Sequence, residues 1–433
     1  MPSETDGGAP DGGAPDGAAL DEFRLAARRW LAANLERRDA AGQAGVVRGG
    51  GTHSAEEYLP ERALQKKIYE AGYAGINWPK EYGGQGLSDA HARAFAQEAA
   101  PYRMPDLGHA GGTTYGPVSQ TLLRHGSPEF LARHVPRILA GDELFVQLFS
   151  EPDAGSDMAG ITTRAVRAEG GWLLTGSKVW TSGAAYADFG LCLARTNWDA
   201  PKHRGLTWFA VPMHAKGMSI QPIREITGEA EFCQEFLDEV WVSDDEVIGE
   251  VDQGWTVAQT MLLVERGAGR DDPVNMPETD PAVIDPFLVE LARSVGRAED
   301  PVARQALARI HTADWARGQL GRRITGLLRT SDRPASGIAS YWKLAAGVYN
   351  PQRARLIMEI GQGQPLVWRD AAGQRAALEY LNSRVWSIAG GSNEMQRNAI
   401  SERVLGLPRE PSFDRGRPFG EVLRSARQWS ENN

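Results

Sequence analysis

The sequence predicts an α+β chain: an N-terminal helical domain, a small β-barrel or sandwich in the middle, and a C-terminal helical bundle. Three observations predict it. Apolar residues follow a helical period from Leu20 to about residue 143. The period becomes that of strands from Phe145 to about Val251. Gly254-Trp255 then opens a second helical tract that lasts to about Gly406. The boundaries that follow are a tail at 1–19, a helical domain at 20–143, a β domain at 144–252, a bundle at 253–412 and a tail at 413–433.

The opening GGAPDGGAPDG is Gly/Ala/Pro/Asp-rich, cannot supply a core and reads as disordered. LDEFRLAARRWLAANLERR is the first helical stretch. Ser54 is a candidate N-cap for the next, and Ser88 for the helix after WPKEYGGQGLS. Ser127-Pro128-Glu129 starts a helix with proline at its first position, and Gly141 ends it. Strands follow at Phe145–Phe149, Thr162–Ala168 and Trp172–Thr175, the last two joined by the hairpin signal Gly170-Gly171. LCLART, LTWFAVPM, GMSIQPI and EFCQEFLDEVWVS are further strand runs. Helices are predicted at 255–268, 282–296, 301–330, 337–360, 368–388 and 394–405, the last stopped by Gly406 and Pro408.

The chain of 433 residues is long enough for two or three domains, and its 42% apolar content is that of a globular protein. No run approaches the ~20 apolar residues of a membrane helix, and the N-terminus lacks a signal peptide's basic and apolar regions. Two cysteines make no disulfide framework and point to a reducing cytoplasm. A net charge of −9 argues against a general nucleic-acid surface.

The chemistry gathers between Phe145 and Ala184. The strand FVQLF breaks into Ser150-Glu151-Pro152-Asp153-Ala154-Gly155-Ser156-Asp157, a loop bent by Pro152 and Gly155. Such a loop turns backbone N–H groups and hydroxyls toward one point, which suits a phosphate or the polar edge of a ring. Further on, Trp180, Thr181 and Ser182 stand beside Gly183, an indole among small hydroxyls that makes a wall for a flat heteroaromatic ligand. Singly, each feature is an ordinary turn or a core tryptophan.

In this order, SEPDAGSD, KVWTSGA and the later SIAGGSNEMQRNAISERVLGLP resemble the acyl-CoA dehydrogenase family, flavoenzymes that oxidise the Cα–Cβ bond of acyl-CoA thioesters. The resemblance covers nearly the whole chain and implies that family's fold, with FAD as cofactor and electron-transfer flavoprotein as acceptor. It implies a homodimer or homotetramer, with a heterotetramer of unlike subunits left open. Carried over position by position, Ser150, Ser156, Trp180, Thr181 and Ser182 fall at flavin contacts, with Ser156 also toward the CoA chain. Ser392 and Glu394 fall in the segment that closes over flavin and substrate, with Gly391 on the substrate side. Arg293 resembles the arginine that reaches a neighbouring subunit's FAD, and Gly361-Gln362-Gly363 the adenine-side segment. No GxGxxG follows a first strand, so a nicotinamide site is not indicated, and no metal site is.

Many members carry the catalytic glutamate at the position that is Gly390 here. TVAQTMLLVERGAG supplies another: Ala258, Met261, Leu262 and Glu265 share one helical face, placing a carboxylate on a core-facing stripe. A structural ion pair is the plain alternative. A minority of the family, including members like isovaleryl-CoA dehydrogenase, has its base on this helix just before an arginine, and Glu265-Arg266 matches. The resemblance thus assigns Glu265 as base and Arg266 to the substrate side, and the backbone N–H of Gly390 is left to bond the thioester oxygen. Asn393 and Gln396 read as a capping box that starts the following helix. Rival readings are a flavin monooxygenase or oxidase on this fold and a partner subunit of a heteromeric dehydrogenase.

Overall fold

A computed structural model describes residues 17–38, 54–265, 283–330, 335–368, 370–412 and 414–432. Arg266 therefore lies outside the described residues, as does the GGAPDGGAPDG tail. The described residues divide into two compact units, one built from 17–38, 54–112 and 127–144, the other from 113–126 with 145 onward.

The first unit is helical: α1 (Gly17–Asn34), α2 (Leu59–Glu70), α3 (Asp89–Ala99) and most of α4 (Gly108–Thr113), with α6 (Pro128–Ala140); α5 (Ser119–His125) belongs to the second. Ala27, Leu31, Phe95 and Ala99 are buried where α1 meets α3, and Tyr73 stacks on Phe95 at 4.9 Å between ring centroids. The Ser127 hydroxyl accepts from the Phe130 N–H at 3.1 Å, and Gly141 closes α6 in the left-handed region, as predicted.

In the second unit one eight-stranded sheet comes first: β1 (Phe145–Leu148), β2 (Arg164–Ala168), β3 (Gly171–Ser182), β4 (Phe189–Arg195), β5 (Leu206–Pro212), β6 (Met218–Pro222), β7 (Phe232–Ser243) and β8 (Val247–Ile248). The order is β6-β7-β3-β2-β4-β5-β8, with β1 parallel to β4, and the end strands β6 and β8 do not pair, so the sheet does not close into a barrel. β3 runs longer than the predicted Trp172–Thr175, because KVWTS continues it against β7 past two register shifts.

The helices of this unit are α7 (Gly254–Glu265), α8 (Pro286–Ser294), α9 (Pro301–Thr330), α10 (Ala335–Gly361), α11 (Gln364–Val367), α12 (Ala371–Asn382), α13 (Val385–Ile388), α14 (Asn393–Arg403) and α15 (Phe419–Asn432). The predicted 368–388 helix is thus two helices, and 413–433, read as a tail, carries α15. α8, α9, α10 and α12 share a core that includes Leu288, Leu291, Ile310, Ile357 and Ala376. Ser392, one residue earlier than predicted, caps α14 by accepting from the Met395 N–H, and Gln396 reaches back to the carbonyls of Gly390 and Gly391 at 3.1 and 3.0 Å.

Candidate active site

The Ser150–Asp157 loop hangs from an ion pair buried in the sheet. Lys178 of β3 has no exposed surface; its Nζ donates to Glu151 Oε1 at 2.8 Å and to the carbonyls of Leu193 and Phe149 at 2.8 and 3.1 Å. The other Glu151 bonds come from Thr162, through its N–H at 2.6 Å and hydroxyl at 3.0 Å, and from the Thr163 N–H at 2.9 Å. Burial pushes the Glu151 carboxyl upward, but the Lys178 charge and these donors outweigh it and hold it below its usual value. The Val179 N–H donates to the Ser150 carbonyl at 2.9 Å and ties the loop to β3. Ser150 is half-buried and Ser156 is exposed.

Trp180 sits at the second register shift of β3 with φ +67, and 60% of it is exposed. A bulky residue held there is backbone strain worth roughly 1–3 kcal/mol; its effect is to present one indole face outward, with the edge of Phe232 against it at 6.0 Å. Ser182 lies half-buried two residues on. Thr181, expected in the same wall, points the other way, as strand alternation requires: it is 3% exposed and donates to Glu235 Oε2 at 2.8 Å. Burial pushes the Glu235 carboxyl up to about 8 against that hydrogen bond and the Lys178 charge.

Helix α7 is fixed at its start by the Trp208 Nε1–H, which donates to the Gly254 carbonyl at 2.7 Å, and farther along by Thr260 with His125 at 2.8 Å. Val257, Ala258, Met261 and Val264 are its buried face. Glu265, the last described residue of α7, is exposed, not core-facing as its spacing predicts. Its carboxylate nevertheless faces the third motif. A Cβ added to Gly390 would lie 3.4 Å from Glu265 Oε1 and 3.4 Å from Lys343 Cε. Lys343 of α10 donates to the Trp386 carbonyl at 2.5 Å and so pins the approach to Gly390, which has φ +65, with Gly391 at +91. The turn lies against α10 because Gly347 leaves room: a Cβ there would stand 2.0 Å from Asn393 Oδ1.

Glu394 is exposed and pairs with Arg397 at 3.3 Å, a surface contact rather than an arm into the turn. Arg293 is exposed at the end of α8, and Leu291 of that helix reaches within 3.3 Å of a Cβ at Gly361, so Arg293 and Gly361-Gln362-Gly363 belong to one neighbourhood. That neighbourhood stands about 20 Å along α10 from Gly347, at 1.5 Å per residue. The structure therefore brings Glu265 and Gly390 together and keeps the Arg293 group apart. The sequence pattern does not point to Lys343; a lysine in the middle of a β run is the available signal for Lys178.

Among the described residues no cluster of ligating side chains could hold a metal ion, and no helix is long and apolar enough to cross a membrane.

The description "Acyl-CoA dehydrogenase, N-terminal domain" matches residues 20–142, and "Acyl-CoA dehydrogenase, middle domain" matches residues 147–240. The acyl-CoA dehydrogenase IpdE1 of Mycobacterium tuberculosis is 37% identical over 399 residues, 90% of this chain and 98% of that protein. FadE34 of the same organism is 41% identical over 405 residues, 89% of this chain and 53% of its own length, so the chain spans about half of that relative. Among solved structures, the "Tcur3481-Tcur3483 steroid ACAD" superposes with a TM-score of 0.69 at 28% identity, covering 91% of this chain and 99% of that one. The ChsE4-ChsE5 complex of Mycobacterium tuberculosis gives 0.64 at 28% identity, covering 90% and 98%. The chain belongs to the acyl-CoA dehydrogenase family, the FAD-dependent oxidoreductases that act on CH–CH bonds.

Proposed function

We propose that this protein converts an acyl-CoA thioester to the trans-2-enoyl-CoA, with Glu265 as the base. The observation that carries the reading is the carboxylate of Glu265 meeting the space over Gly390, where a side chain on the turn would otherwise stand. The residues present fit a flavin: the Trp180 indole offers a flat face, Ser182 a hydroxyl at its rim and Ser150 another on the anchored loop. FAD, when bound, supplies the acceptor for the hydride that leaves Cβ. Glu265 takes the Cα proton, the electron pair of that C–H bond becomes the new π bond, and the Gly390 N–H is offered to the thioester oxygen. Arg266 next to Glu265 and Gly391 next to Gly390 are assigned to the substrate side. Electron-transfer flavoprotein is the proposed acceptor, and the buried, unpaired Cys192 and Cys233 suit a cytoplasmic protein.

The purified protein is expected to be yellow with non-covalent FAD and to bleach anaerobically with a suitable thioester. A panel of straight-chain, branched, aryl and steroid side-chain acyl-CoAs identifies that substrate; the steroid relatives support starting from the last. Colourless protein that does not take up FAD, even co-expressed with a partner subunit, overturns the reading. Oxygen consumption coupled to bleaching would instead indicate an oxidase.

We also infer that the active species is an oligomer, homomeric or built with an unlike subunit. Arg293 and Gly361–Gly363 share a neighbourhood about 20 Å along α10 from Gly347, which supports a role toward a second subunit's FAD. The paired names of the Tcur3481-Tcur3483 and ChsE4-ChsE5 structures support the heteromeric form. Light scattering is expected to show a dimer or tetramer; a monodisperse, flavin-loaded monomer would sink the inference.

A further inference from the structure

Beyond α14 the chain returns to the sheet. Lys202, on the connection between β4 and β5, holds two carboxylates: Asp414 at 2.6 Å and Asp157, the last residue of the SEPDAGSD loop, at 3.1 Å. The Ser412 hydroxyl also bonds Asp414, and these contacts pull the Asp414 carboxyl down to about 2, so it is charged at any working pH. Farther on, the Phe419 N–H donates to the Ala200 carbonyl and the Gly420 N–H to the Trp198 carbonyl, both at 2.9 Å. The Phe419 ring is 3% exposed and stacks on Trp198 at 6.0 Å.

Under that ring lies a buried cation. The Arg195 guanidinium is fully enclosed and centred 3.9 Å from the Phe419 ring. Its donors go to backbone carbonyls: Ala159 at 2.6 Å, Lys202 at 3.1 Å, Ile161 and Arg204 at 3.3 Å each. A buried guanidinium is expensive unless its donors are used and its faces covered. Here an aromatic face does the covering, with the attraction of a ring for a cation. Ala159 and Ile161 directly follow the loop. The C-terminal segment therefore reaches the same stretch twice, through Asp414, Lys202 and Asp157, and through Phe419 and Arg195 to the carbonyls of Ala159 and Ile161.

We propose that the segment carrying Asp414, Phe419 and Gly420 forms a positioning strap that fixes the outer end of the Ser150–Asp157 loop, as the Lys178–Glu151 pair fixes its inner end. The strap acts by holding Ser150 and Ser156 in place. Its bearing on flavin rests on the function proposed above, but its mechanical claim does not.

The test uses the full-length chain with Phe419→Ala, Phe419→Tyr and Asp414→Asn. Hydrogen exchange is followed on flavin-free protein in peptides covering 150–163, with β5 as an internal control. Exchange in 150–163 should quicken about tenfold in Phe419→Ala and by a smaller factor in Asp414→Asn, with β5 unchanged and Phe419→Tyr close to wild type. Separately, FAD titration of the flavin-free proteins should show affinity weakened about tenfold in Phe419→Ala. Wild-type exchange across 150–163 in both Phe419→Ala and Asp414→Asn overturns the strap. So does exchange that quickens equally in β5, since that is general loosening. If Phe419→Ala does not fold, Asp414→Asn, a change at a half-buried site, decides alone. A wild-type chain that takes up no FAD overturns the flavin reading while the exchange result still judges the strap.

Discussion

Glu265→Gln is expected to retain FAD and thioester binding and to lose flavin reduction by about 10²–10⁴-fold, the usual contribution of a positioned base. Glutamine keeps the length and planarity of the side chain and removes its basicity, so the contact across Gly390 is preserved while the proton has no destination. Anaerobic stopped-flow reduction, at saturating substrate, reads the chemical step apart from binding. The position of Glu265 sharpens the expectation. Because Glu265 is exposed, the acyl chain itself must displace water from it. The loss should therefore be greatest for substrates large enough to cover it and smaller for short ones. Near wild-type reduction with a substrate that the wild type uses would remove Glu265 from the mechanism.

Lys178→Met is expected to be the most destabilising single change in the sheet. Removing one partner of a buried pair leaves the other charged and uncompensated, at about 3–5 kcal/mol. Here Glu151 would lose its ion-pair partner, and the carbonyls of Phe149 and Leu193 their donor. Denaturant titration of the flavin-free protein should show an earlier midpoint, and the purified variant should be poor in FAD because the loop has lost its inner anchor. Lys178→Met with Glu151→Gln should recover part of the stability, since the uncompensated carboxylate is gone. A single variant as stable as the wild type would show that the pair is replaceable by water, and the anchoring account would fail.

How much of this was legible depends on the scale of the signal. The order helices, sheet, helices follows from period alone, because burial of one face over many residues leaves a repeated trace. The caps at Ser127 and Gly141 were legible because each is a local bargain between one side chain or backbone conformation and one helix end. Two other local readings slipped. Gln396 was paired with Asn393, yet the nearer cap is Ser392, whose hydroxyl leaves Gln396 free to hold the carbonyls of Gly390 and Gly391. Trp180, Thr181 and Ser182 were read as one wall, although alternation along a strand sends the middle residue inward to Glu235. The exposure of Glu265 could not be read, since helical spacing tells which face a residue shares and not where that face stops being covered. The strap was invisible for a related reason. Pro, Gly and Arg dominate residues 408–418, no period survives there, and the docking depends on Phe419 and Asp414 meeting groups more than 200 positions earlier.

The left-handed backbone at Gly390 bears on how such a site changes through descent. With φ +65, a glutamate at 390 would sit in a conformation costing an L-residue roughly 1–2 kcal/mol, and its first side-chain carbon would already stand 3.4 Å from the Glu265 carboxylate. On the proposed assignment of Glu265, a chain carrying both acids would be strained and self-repelling, and a chain carrying neither would have no base. Relocating the acid from the helix to the turn therefore carries that strain unless the turn also changes its backbone. On that assignment, a single substitution passes from one arrangement to the other only at a loss.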